Sequence, residues 1–77
     1  MQNNHEAIVK TALRDIASVD CQVQQAKTVA DLDRFRRQVQ EFASRAPENA
    51  WVKARAHLVY ARINVAETVL LAKRRFG

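Results

Sequence analysis

The sequence predicts an all-α fold, a three-helix up-down-up bundle with a long C-terminal helix, and three observations carry that expectation. One glycine and one proline in 77 residues leave too little turn chemistry for a sheet. Apolar residues recur at steps of three and four in three separate stretches, the period of helices with a buried side. Helix-start signals stand at the head of each stretch, caps for the first two and a proline for the third. The expected organisation is a single helical domain over residues 1–77, with helix 1 at about 4–26, helix 2 at about 29–46 and helix 3 at about 47–76.

Helix 1 opens on Asn3 and Glu6, three residues apart, the form of a capping box in which the Asn oxygen and the Glu carboxylate each accept an orphan backbone N–H. Val9, Ala12, Ile16, Val19, Val23 and Ala26 then form one stripe, so this helix has one partner face. Thr28 and Asp31 repeat the cap signature, placing a break near residues 26–28 although no glycine or proline enforces it. A helix running straight through is the alternative.

Helix 2 carries Leu32, Phe35, Val39, Phe42, Ala43 and Ala46 on one side and charges on the other, with Asp33 and Arg37 spaced for an i,i+4 ion pair. It ends ahead of Pro47, which suits the first turn of the next helix but no helix interior, and Glu48 beside it complements the positive end of that helix.

Helix 3 is the element around which the rest is arranged: about 29 residues, roughly 43 Å at a rise of 1.5 Å per residue. At about 100° per residue its apolar side chains fall into two flanks. Trp51, Leu58, Val65, Val69 and Phe76 form the first with Ala54, Ala61 and Ala72; Val52, Val59, Ile63, Ala66 and Leu70 form the second with Ala56. Arg55, Arg62 and Lys73 run between them, and Tyr60 projects from the polar side. Two apolar flanks call for two neighbours, which helices 1 and 2 supply in a bundle. Self-association through an isologous two-fold contact, making a homodimer, is the alternative use of the second flank. Trp51, Phe35 and Phe42 sit on apolar faces and are expected in the core.

A chain of this length buries only about 60% of the surface its unfolded form exposes. Cys21 is the only cysteine, so no internal disulfide supplements the core, and that usage suits a reducing compartment. No apolar run approaches the roughly 20 residues of a membrane span, and the first residues lack the features of a secretory signal. The expectation is a cytoplasmic protein with no membrane partner. The net charge of +5 is unevenly placed, summing to zero over residues 1–27, +1 over 28–46 and +4 over 47–77. The basicity belongs to helix 3 and favours an acidic protein surface or nucleic acid.

The sequence argues against an enzyme. His5 and His57 belong to no cluster with metal-ligand spacing, and Cys21 beside the Asp20 carboxylate is an unactivated thiol. No glycine-rich loop cradles a phosphate. Asp31 and Asp33, the nearest pair of acids, point about 160° apart on a helix, too far to share a proton. No catalytic residue, metal or cofactor is assigned.

The expected function is therefore binding: a small non-enzymatic module acting as a regulator, adaptor or inhibitor, in a size class common among bacterial, plasmid and phage accessory proteins. Its partner is another protein with an acidic surface, met by Arg55, Arg62 and Lys73 beside the apolar Val52, Val59, Ile63 and Leu70. Asp15, Asp20 and Glu6 are the internal carboxylates that compete for those arginines. The alternative is a nucleic-acid binder making phosphate contacts through Arg34, Arg36, Arg37, Lys73, Arg74 and Arg75.

Overall fold

The computed structural model describes residues 2–76, and the side chains of residues 4–76. Three helices, α1 (Gln2–Val23), α2 (Val29–Ser44) and α3 (Ala50–Phe76), pack against one another with no strand among the described residues. The bundle is a rod of 55 × 16 × 15 Å.

The core follows the expected stripes of α1 and α2. Ala12, Ile16, Val19 and Val23 of α1 meet Leu32, Phe35 and Val39 of α2, and Val52, Ala56, Val59 and Ile63 of α3 close the third side. No polar or charged residue is buried among those described, so the interior rests on apolar packing alone. Phe42 lies half-buried at its edge.

The first joint forms where the break was placed, with α1 ending three residues earlier than expected. The carbonyls of Gln22 and Val23 accept from the N–H groups of Gln25 and Ala26 at 2.9 and 3.2 Å, tightening the chain out of the helix. Thr28 is extended (φ −134°, ψ 159°), its hydroxyl accepts from Asp31 N–H at 3.1 Å, and the Asp31 carboxylate accepts from Thr28 N–H at 3.2 Å. This capping box, with a further bond from Lys27 N–H at 3.1 Å, turns the chain without any positive φ. The backbone bond from Lys27 is the main cause that holds the Asp31 carboxyl below its ordinary range.

Two other local expectations change. α3 starts at Ala50, because the Asn49 side chain accepts from Val52 N–H at 3.0 Å and supplies a better cap than the turn around Pro47. Pro47 and Glu48 thus lie in the turn and outside the first helical turn. At the other end of the chain α1 already includes Asn3; the cap expected from that side chain falls outside the described side chains.

Among the described residues, one ion pair spans each of the three interfaces. Arg45, just past α2, bonds Asp15 of α1 at 3.1 Å. Arg62 of α3 bonds Asp20 of α1 at 2.6 Å, as the internal competition for this arginine anticipated. Arg36 of α2 bonds Glu67 and Asn64 of α3 at 3.0 and 2.8 Å and Asp33 of its own helix at 2.9 Å. The i,i+4 pair of Asp33 with Arg37 is thereby replaced by an i,i+3 pair with Arg36, whose guanidinium is positioned to reach α3 as well.

Candidate functional site

The two flanks of α3 have different fates. Val52, Ala56, Val59 and Ile63 of the second flank face both neighbouring helices at once, with Ala66 and Leu70 half-buried beyond them. The first flank is left largely open to solvent. Trp51 is 77% exposed, Val65 64% and Phe76 84%, with Leu58 and Val69 also exposed. The expectation that Trp51 belongs to the core is corrected here. So is the need for two neighbours: helices packed in a triangle place both neighbours of any one of them within a wedge of about 60°, which one face can serve.

The residues expected to meet a partner divide accordingly. Val52, Val59 and Ile63 are fully buried, and Leu70 half-buried, so the first three hold the bundle together and touch nothing outside it. Arg62 is half-exposed but bonded to Asp20. Arg55 and Lys73 are exposed and make no ion pair among the described residues. Tyr60 is half-buried against the core edge instead of projecting into water, and that burial raises its phenol pKa.

Beside the bare flank lies a groove between the end of α1 and the C-terminal half of α3. Val23, Ala26, Ala61, Val65, Ala66, Val69 and Leu70 make its apolar lining, and Asp20, Gln24, Arg62 and Lys73 its polar edge. Asp20 keeps its Oδ2 on Arg62, while Oδ1 is buried with no hydrogen-bond partner. Val65 and Val69 belong to the flank expected to lie against a neighbouring helix or a second copy, and the rotational setting of α3 brings them to this surface.

The cations proposed for phosphate contacts are not equivalent. Arg36 is held by Glu67, Asp33 and Asn64, and the Glu67 bond is the main cause that raises its pKa above the ordinary guanidinium value. Arg34 lies 3.7 Å from Asp31 and over the Phe35 ring. Arg37 is exposed on α2. Lys73 and Arg74 border a depression with Lys27, Thr28, Val29 and Ala30, and Arg75 shares their exposed last turn. Lys27 was missed in the sequence because it lies in a charge-neutral segment; the fold brings it to the basic end.

His5 and His57 are exposed, as is Cys21. Among the described residues no three His, Cys, Asp or Glu side chains converge to hold a metal ion, and no helix is long and apolar enough to cross a membrane. Comparisons of the chain with protein-family models, with curated proteins and with solved structures find no match.

Proposed function

We propose that this chain is a non-enzymatic binding module that docks a protein with an acidic surface on the outward side of α3, and so regulates, inhibits or adapts that partner. One observation carries the reading: the stripe of Trp51, Leu58, Val65, Val69 and Phe76, exposed along the length of α3, with Arg55 and Lys73 beside it and in no ion pair among the described residues. Contiguous apolar surface of this kind is unfavourable in water and marks interaction sites. Aromatic anchors next to cations are the side chains that carry interface energy. The site residues are thus Arg55 and Lys73 with the first flank of α3, in place of the buried Val52, Val59 and Ile63 and of Arg62, which Asp20 holds.

The test is affinity capture from the native host with the wild-type chain and Val65→Asp. Val65 is 64% exposed, so the fold tolerates the change, and circular dichroism verifies it. The captured partner is expected to fall at least about tenfold, because a desolvated carboxylate is placed among apolar contacts. Undiminished capture by the folded variant rules the surface out.

Nucleic-acid binding is a second reading, favoured by the grouping of Lys27, Lys73 and Arg74 at one end of the rod with Arg75 on the same turn. Arg34 and Arg36 contribute little to it, being tied to acids of this chain. With about four phosphates neutralised, affinity for duplex DNA is expected to fall with a log–log salt slope near −3.6. A mobility shift absent at low salt and micromolar protein removes this reading.

A further inference from the structure

We infer that the groove between the end of α1 and the C-terminal half of α3 receives an amphipathic helix with acidic edges, supplied by the partner, which becomes the fourth helix of a bundle. The inference rests on the docking role proposed above and specifies what docks.

The shape of the vacancy comes from unequal helix lengths. α1 and α3 run in the same direction, and the Asp20–Arg62 bond sets them side by side. Three residues further on α1 ends at Val23, level with Val65, while α3 continues to Phe76. Past that point Val69, Leu70 and Lys73 have no α1 beside them. The α3 side of the groove runs from Ala61 to Lys73, about 18 Å or three to four helical turns, and lies open past Val65. Its ridge of Arg62, Ala66, Val69 and Lys73 has the alternating steps of four and three that receive the side chains of another helix. Ala61 and Ala66 keep the floor low enough for a close approach. An apolar groove of this length is filled by one face of a short helix.

Charge decides which helix. Lys73, which bonds no acid among the described residues, stands on the same line of α3 as Arg62, eleven residues or about three turns away, between Val69 on one side and Leu70 on the other. The only carboxylate of the lining, Asp20, is already bonded to Arg62. Lys27 and Arg74 stand at the open end. A second copy of this chain fits badly: the sole acid of its α3, Glu67, is held by Arg36, so two α3 helices would oppose cation to cation. A phosphate backbone has no use for the apolar lining. A helix with an apolar seam and glutamates along its edge satisfies both features.

The probes are three synthetic amphipathic peptides of about 18 residues, roughly five turns, with one Leu/Ala seam and Glu, Gln or Lys along both edges. Binding to the full chain is followed by fluorescence anisotropy, and perturbed NMR signals locate the site. The Glu peptide is expected to bind about tenfold tighter than the Gln peptide, since two or three rim ion pairs each contribute a modest amount. The Lys peptide should not bind. Lys73→Glu should cancel most of the preference for Glu over Gln, and Val69→Asp should abolish binding of both, with perturbed signals at Val23, Val65 and Leu70 in the wild type.

Equal affinity of the Glu and Gln peptides, or binding of none, overturns the inference. So does a chain dimer in sedimentation that Val69→Asp dissolves, which would give the groove to a second copy. Binding to phosphatidylserine vesicles that Val69→Asp abolishes, with no peptide bound, would give it to a membrane. If the peptides fail while Val65→Asp still loses the captured partner, only the acidic-helix assignment falls. If capture is also unchanged, the docking surface falls with it.

Discussion

Ile63→Ala is expected to remove about 2–5 kcal/mol of stability, the cost of the lost transfer energy plus the cavity left in a close-packed core. Ile63 is fully buried where the three helices meet. A domain this small has a margin of only about 5 kcal/mol, toward the low end for folded proteins, so the variant should be largely unfolded at modest urea concentrations. Trp51→Ala is the control. Trp51 is the larger side chain and lies on the same helix, but it is 77% exposed, so its removal should change stability by no more than about 0.5 kcal/mol. Urea titrations followed by far-ultraviolet circular dichroism read both midpoints, with an unchanged slope confirming that the same transition is compared. Equal losses for the two variants would mean that α3 is rotated from the orientation described.

Arg36→Ala is the second large effect, expected to cost about 1–2 kcal/mol. The guanidinium is about 29% exposed and Glu67 about 31%, so water screens the pair less than it does an open surface bridge. Three acceptors on two helices lose their donor together, at 2.9 Å for Asp33, 3.0 Å for Glu67 and 2.8 Å for Asn64. Arg36→Lys should recover less than half of the loss, because a single ammonium cannot reproduce a planar fork directed at separate acceptors. A double-mutant cycle with Glu67→Ala isolates the interhelical part. A coupling energy indistinguishable from zero would reduce this bridge to surface decoration.

The position of Arg36 also bears on how α3 is oriented. Glu67 lies at the edge of the second flank of α3, about 60° from its middle on the helical wheel, and nearly opposite the first flank. Burying the second flank therefore brings Glu67 to Arg36 and Arg62 to Asp20 together. Burying the first flank would turn Glu67 away from both neighbours. The orientation observed is thus the one in which these interhelical charge pairs form together with the buried apolar contacts.

Much of this was legible residue by residue. The stripes of α1 and α2 became core as spaced, and the Thr28–Asp31 box marked the start of α2 despite the absence of a breaker. The joint at Pro47 was placed within three residues, its shift caused by the capping side chain of Asn49. The basic residues of α3 were evident as a set, but their freedom was not. Whether an arginine is available to a partner depends on which acid the fold brings to it, and Asp20, Asp31 and Glu67 claim Arg62, Arg34 and Arg36.

The order of residues alone determined that three helices form, where they are joined, and that the last has two apolar sides, because periodicity and capping are local properties of a chain. Tertiary packing decided which of those sides is covered. In a triangular bundle both neighbours of α3 approach from one direction, so a single flank serves both. The other flank, from Trp51 to Phe76, is left facing outward.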